Sequence, residues 1–466
     1  MITGSPRESC GIFGIFAPGE DVARITFFGL YALQHRGQES AGIATSDGQS
    51  LRVRKGMGLV AHVFVEEDLA DVSGGHIAIG HTRYSTTGSS LISNAQPLIV
   101  EGDLGALALA QNGNVVNAAA LRAQMEPAFA FQTSTDAEVI ALLVTSSFGR
   151  TWEEKILRAM PRLQGAFSLV LLTRDSLIGV RDPLGIRPLC LGRLNGGWVL
   201  ASESCALDTV GAQFLREVEP GEVVVIDQHG VRSTMGAVSE KRSLCVFEFI
   251  YFARPDSLIN GRLLYLARQA MGAQLAREYP VEADLVIAVP DSAIPAGIGY
   301  AKESGIPYSE GLIKNRYIGR TFIQPDQRMR EMGVQLKFNP LMEALSGKRL
   351  VVLDDSIVRG TTTPRVVSLL RKAGVSEVHM RICAPPLRHP CFFGVDMATR
   401  AELIASHKSV EEIARYIGAT SLGYLSLEGL IRSVGLPGED FCLACFTGEY
   451  PIPVQLEMDK LVMERP

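Results

Sequence analysis

The stretch from 349 to 383 constrains this chain more than any other. An unbroken apolar run, Leu350-Val351-Val352-Leu353, leads directly into Asp354-Asp355-Ser356-Ile357-Val358-Arg359-Gly360-Thr361-Thr362. Thr363-Pro364 then opens a segment of helical periodicity that Gly374 closes, and a second apolar run follows over 377–383. Apolar residues without alternation suit a strand buried on both faces. Thr363 reads as an N-cap and Pro364 as the first helical residue, because proline's fixed φ suits a first turn that does not need its missing N–H. Strand, helix and strand in this order pair the two strands in parallel.

The loop between the first strand and the helix has chemistry of its own. Backbone N–H groups and hydroxyls of a Gly- and Thr-rich turn, aided by the helix dipole, form a cradle for a phosphate. Asp354 and Asp355 would repel that anion, so they are expected to face ribose hydroxyls or a bound cation. The plain alternative is a solvated acidic turn with a threonine cap.

The rest of the second half fits a parallel sheet: a helical pattern over 260–278 ended by Pro280, a buried strand over 284–289 and a helical pattern over 295–303. The first half has a different rhythm. Strand-like runs at 10–16, 42–46, 76–80, 106–110, 167–173, 198–201 and 222–226 are punctuated by Gly- and Asp-containing turns. Helical patterns at 21–34, 118–125, 136–146 and 151–160 lie between them. This predicts antiparallel sheet covered by helices, with a boundary between the halves near 238–250.

Composition limits the function. At 466 residues the chain has room for two to three domains at roughly 150 residues each. A net charge of −5 removes the electrostatic case for a nucleic-acid or membrane-surface binder. No apolar stretch approaches the roughly 18 residues of a membrane span, and residues 1–9 lack the pattern of a secretory signal, so the cytoplasm is expected. Eight cysteines are too sparse for a disulfide scaffold; each is core filler, nucleophile or metal ligand. Cys190, Cys205 and Cys383 lie in strand-like surroundings and read as core.

Cys10 stands at the head of an apolar strand. Further on come Leu33-Gln34-His35-Arg36-Gly37-Gln38-Glu39-Ser40-Ala41-Gly42, Gly80-His81-Thr82-Arg83-Tyr84-Ser85-Thr86, Gln111-Asn112-Gly113-Asn114 and Ser134-Thr135-Asp136-Ala137-Glu138. In these four motifs the sequence resembles the N-terminal-nucleophile (Ntn) glutamine amidotransferases. The chemistry is coherent: a thiol attacks an amide only if a base takes its proton, and a terminal amine of pKa about 7.7 to 8.0 suits that task. The resemblance implies that residues 1–9 are removed to free the α-amine of Cys10. It also implies that the Asn112 side chain and the Gly113 N–H are oxyanion donors, that Arg83 binds the α-carboxylate of glutamine, and that Asp136 binds its α-ammonium. Arg36 and Gly37 shape the site, while His35 and His81 are read as structural hydrogen-bonding groups.

The string 354–362 resembles the phosphoribosyl pyrophosphate (PRPP) loop of type I phosphoribosyltransferases. Asp354, Asp355, Ser356, Gly360, Thr361 and Thr362 are then PRPP-binding. Val289-Pro290-Asp291-Ser292 resembles the pyrophosphate loop, and Lys314-Asn315-Arg316-Tyr317-Ile318-Gly319-Arg320-Thr321-Phe322 resembles the loop that closes over PRPP. Residues 314–337 hold six basic and two acidic side chains, a sign suited to a lid over a polyanion. Cys442-Leu443-Ala444-Cys445 is weak alone, since a zinc knuckle or a redox pair would look the same.

From Cys10 to Tyr450 the whole pattern is similar to the amidophosphoribosyltransferases of the iron–sulfur type. That resemblance implies an α+β αββα Ntn-hydrolase sandwich followed by an α/β type I phosphoribosyltransferase domain. The divisions are a propeptide at 1–9, a glutaminase domain at 10–240, a phosphoribosyltransferase domain at 241–450 and a tail at 451–466. It further implies magnesium held by Ser292, Asp354 and Asp355, and a 4Fe–4S cluster on Cys245, Cys391, Cys442 and Cys445, although four thiolates suit zinc equally. The implied reaction opens purine (IMP) synthesis. Glutamine and PRPP would be its substrates and purine nucleotides its inhibitors; the implied assembly is a homotetramer, with no nucleic-acid or membrane partner. Two alternatives stand beside this reading: another Ntn amidotransferase acting on a sugar phosphate, which should lack the 354–362 loop, and a non-enzymatic PRPP sensor, which has no use for Cys10.

Overall fold

The structure is a computed structural model that describes residues 10–85, 88–315, 338–395, 399–454 and 462–464. Strict alternation along single strands sets its first half. In Gly11–Phe16, Ile12 and Phe16 face one apolar cluster while Phe13 and Ile15 face another. In Gly165–Leu172, Val170 and Leu172 enter that first cluster, whereas Phe167, Leu169 and Leu171 enter a third. Strands buried on both sides in this way require two sheets face to face, with helices outside.

One sheet has seven strands in the spatial order Gln213–Glu217, Cys190–Leu194, Gly197–Ala201, Gly11–Phe16, Ile77–Arg83, Ser40–Ser46, Leu51–Met57. The other has six, in the order Gly230–Met235, Glu222–Asp227, Leu177–Arg181, Gly165–Leu172, Gly105–Val115, Leu98–Gly102. Every pairing recorded in these two sheets is antiparallel. Helix Val22–Ala32 covers the first sheet and Asp136–Ser146 the second, giving the expected αββα sandwich. The strand expected at 106–110 runs on to Val115 and so carries Asn112 and Gly113 within it.

The second half is built on a parallel four-stranded sheet in the order Leu285–Ala288, Arg349–Asp354, Glu377–Ile382, Ser421–Tyr424. Helix Thr363–Lys372 follows the second of these strands. Its cap is Thr362, one residue earlier than expected, and Pro364 lies in the first turn. The helix expected to begin at 260 starts at Leu264, because Asn260, with φ +48°, and Gly261 turn a short hairpin between Leu258–Ile259 and Arg262–Leu263.

The two halves meet over buried charge. Arg36 pairs with Glu203 and Glu248, and Arg187 pairs with Glu248, all four side chains being inaccessible to solvent. Burial works against the Arg36 charge, but Glu248 and Glu203 more than offset it and hold the guanidinium firmly protonated. Beside this network Leu244–Cys245 pairs in parallel with Phe441–Cys442, which places Cys245 opposite Cys442.

Candidate functional site

Cys10 sits where the strand Gly11–Phe16 begins, buried, with its carbonyl accepting Arg36 Nε at 3.1 Å. Its thiol donates to the Tyr84 carbonyl at 3.3 Å and accepts from the Tyr84 N–H at 3.4 Å. Burial pushes this thiol up to about 11, with the Tyr84 hydrogen bond and Arg83 acting the other way. Such a thiol is protonated at neutral pH and needs a base before it can attack.

Asn112 and Gly113 lie opposite Ser168 and Phe167 in the neighbouring strand. Gly113 has φ +147°, and a Cβ there would stand 2.1 Å from the Ala166 carbonyl oxygen, so glycine is required. Asn112 is fully buried, yet neither its Oδ1 nor its Nδ2 has a hydrogen-bond partner. An orphaned amide of this kind costs about 1–3 kcal/mol, a cost that a role in catalysis would explain.

Arg83 is buried at the end of Ile77–Arg83, and its Nη1 donates to Glu39 Oε1 at 2.7 Å and to the Ser89 carbonyl at 3.1 Å. Asp136 opens the helix Asp136–Ser146, and its Oδ2 accepts from Gln111 Nε2 at 2.7 Å and from the Val115 N–H at 2.9 Å. Burial raises the Asp136 carboxyl, opposed by those two donors. Arg83, Glu39 and Asp136 all act electrostatically on Cys10, so the structure gathers three separate motifs around one thiol, and Gln111 of the fourth bonds Asp136. His35 bonds Glu203 at 2.7 Å and His81 bonds the Gln111 carbonyl at 3.0 Å, as framework groups do; burial drives His81 down to about 3 and keeps it neutral. Glu39, the arginine–glutamate network and Glu464, whose carboxylate accepts from the Ser89 N–H and Ser134 Oγ, were not singled out from sequence.

A second cluster stands at the end of the strand Arg349–Asp354. Asp355 is buried, its Oδ2 accepting Ser292 Oγ and its Oδ1 accepting Ser356 Oγ, each at 2.6 Å. Asp354 Oδ1 accepts the Asp355 N–H at 2.9 Å. Lys314 Nζ reaches Asp291 at 2.5 Å, so Lys314, the 289–292 turn and the start of the 354–362 loop converge. Gly360 is buried, Thr362 half-buried and Thr361 exposed at the helix start. Arg268, a buried residue unmarked in the sequence, lies in the electrostatic field of Asp355. Arg316 lies outside the described residues.

Cys245, Cys391, Cys442 and Cys445 come from three segments and act on one another electrostatically; burial first, then the neighbouring thiols, raise Cys442 and Cys445. All four are free thiols. Among the described residues no three His, Cys, Asp or Glu side chains are grouped to hold one metal ion. Cys190, Cys205 and Cys383 are buried core residues, as expected.

Known proteins match this geometry. Residues 81–209 fit a family model described as a glutamine amidotransferase domain. An amidophosphoribosyltransferase of Synechococcus elongatus is 52% identical over 98% of this chain and 95% of its own length. Another, from Bacillus subtilis, is 49% identical over 96% and 95%. Among solved structures, a glutamine PRPP amidotransferase from B. subtilis complexed with ADP and GMP superposes with a TM-score of 0.90 at 49% identity, covering 96% of this chain and 98% of that one. With near-complete coverage at about half identity, and with both clusters in place, the chain belongs to the amidophosphoribosyltransferase family.

Proposed function

We propose that this chain transfers the amide nitrogen of glutamine to PRPP, giving 5-phosphoribosylamine, glutamate and pyrophosphate, the first committed step of purine synthesis. The orphaned amide of Asn112 beside Gly113, on a strand that faces the Cys10 strand across the sandwich, carries the reading. Once residues 1–9 are removed, the α-amine of Cys10 takes the thiol proton. The thiolate attacks the amide carbon, and the oxyanion is received by Asn112 Nδ2 and the Gly113 N–H. The bond to nitrogen breaks with proton transfer to the leaving ammonia, and water then releases glutamate from the thioester. Arg83 and Asp136 hold the substrate's α-carboxylate and α-ammonium.

Ammonia then displaces pyrophosphate at the anomeric carbon within the second cluster. Asp354, Asp355, Ser356, Gly360, Thr361 and Thr362 bind the ribose phosphate end of PRPP there; Asp291, Ser292, Lys314 and Arg316 meet its pyrophosphate. Oxygen donors in this arrangement suit magnesium, with Ser292, Asp354 and Asp355 as its side-chain contacts, and magnesium would neutralise the leaving pyrophosphate. Four thiolates suit a 4Fe–4S cluster or zinc alike, and we assign the cluster from the resemblance to the iron–sulfur type of the family. Such a cluster would have a structural role. We assign 1–9 as propeptide, 10–240 as glutaminase, 241–450 as phosphoribosyltransferase and 451–466 as tail. Purine nucleotide inhibition, a homotetramer and a cytoplasmic location complete the proposal; no helix among the described residues is long and apolar enough to cross a membrane. Product analysis with glutamine, PRPP and magnesium, using anaerobically prepared protein, tests it: phosphoribosylamine and pyrophosphate are expected in equal amounts, and amination of another sugar phosphate would overturn it.

A further inference from the structure

The strand bearing Asn112 and Gly113 is not held by its own half of the molecule alone. One residue beyond Gly113, Asn114 is buried, and its Nδ2 donates to the carbonyl of Phe392 at 2.9 Å. Gly394, with φ +99°, lies so close that a Cβ on it would stand 3.1 Å from the Gly113 carbonyl carbon. Between them, the Phe393 carbonyl accepts Arg187 Nε at 3.1 Å and Nη2 at 2.9 Å. Arg187 bonds Glu248, Glu248 bonds Arg36, and Arg36 bonds the Cys10 carbonyl. The turn 392–394 therefore touches the Gly113 strand directly and reaches the backbone of Cys10 through three buried side chains.

We propose that the turn 392–394 buttresses the oxyanion hole and that Asn114 is a positioning residue for glutamine hydrolysis, fixing the direction of the Gly113 N–H from across the junction. This rests on the reading of Asn112 and Gly113 as oxyanion donors. At φ +147° Gly113 occupies a region open to glycine, where the missing Cβ leaves the peptide free to swing, so its orientation is set by its neighbours. Sandwich strand pairing holds one side of it. The Asn114 hydrogen bond and the close approach of Gly394 hold another. Because the donor matters most when charge develops on the substrate oxygen, loosening it should lower kcat and leave glutamine binding nearly unchanged.

The test is Asn114→Ala, with the near-isosteric Asn114→Asp, which removes the donor without opening space. Three quantities are read on the full chain: kcat and KM for glutamine hydrolysis, synthesis from added ammonia, and the rate at which iodoacetamide alkylates Cys10. Alkylation needs the thiolate but no oxyanion hole. The expected result is a fall in kcat of about tenfold or more, with KM, alkylation and ammonia-dependent synthesis within about twofold. An unchanged kcat, or an equal loss of ammonia-dependent synthesis and alkylation, would overturn the proposal. Asn112→Ala is the control: if it also leaves kcat unchanged, the oxyanion reading itself has failed, whereas a fall in Asn112→Ala alone refutes only the buttress. Should Asn114→Ala not fold, Asn114→Asp gives the same decision.

Discussion

Arg36 lies with its Nε 3.1 Å from the carbonyl oxygen of Cys10 while its terminal nitrogens are taken by Glu203 and Glu248. The nucleophile's backbone is thus anchored to a buried ion network rather than to the sandwich alone. Removing Arg36 would take one buried cation from each of two carboxylates, leaving Glu203 with His35 and Glu248 with Arg187. Arg36→Ala should therefore destabilise the protein by about 3–5 kcal/mol, while Arg36→Lys, which keeps charge but not the fork geometry, should lose less. Urea midpoints of the variants measure this; an unchanged midpoint for Arg36→Ala would remove the anchoring role.

The same network sets a pH dependence. Burial alone would raise Glu203, but His35 and Arg36 outweigh it and hold the carboxyl well below the usual carboxylate range. A group depressed on folding binds more protons when unfolded, so its stabilisation is complete above the ordinary carboxylate pKa and is lost as pH falls toward its folded value. Stability should decline on acidification below about pH 4.5, and the decline should be shallower in Glu203→Gln. Equal slopes for the two proteins would contradict the assignment.

Much of this was legible in sequence because it is local. Cys10, the Asn112-Gly113 pair and the 354–362 loop are each contiguous in the chain, so a single window contains each of them. Arg36 with Glu248 spans 212 positions and Arg187 with Phe393 spans 206, so no window contains either pair. Leu51–Met57 escaped notice for another reason. It is an outer strand of its sheet with exposed charged residues, so it lacks the apolar alternation that marks the central strands. The cap at Thr362 rather than Thr363 reflects backbone angles that a capping preference cannot fix to one residue.

The acceptor site should respond independently of the thiol. Asp355→Asn keeps the shape but weakens a carboxylate that Ser292 and Ser356 orient, so synthesis from glutamine and from ammonia should both fall by about tenfold or more. Lys314→Ala should raise the PRPP concentration needed for half-maximal rate and leave basal glutaminase largely intact. A glutaminase loss matching the synthetic loss in Asp355→Asn would show that the two clusters are not separate sites.

Oxygen exposure separates the metal assignments. Anaerobically prepared protein should contain iron and acid-labile sulfide, lose both on exposure to air, and lose activity in parallel. Finding one zinc and no iron would keep the four-thiol centre and reject the cluster.

The central claim is that one chain moves nitrogen from the Cys10 site to the 354–362 site. Glutamine labelled at its amide nitrogen, supplied with PRPP and magnesium, should yield labelled phosphoribosylamine with the unaltered protein and none with Cys10→Ala, while labelled ammonia yields it with both. Transfer of the glutamine label by Cys10→Ala, or failure of that variant to use ammonia, would contradict the account.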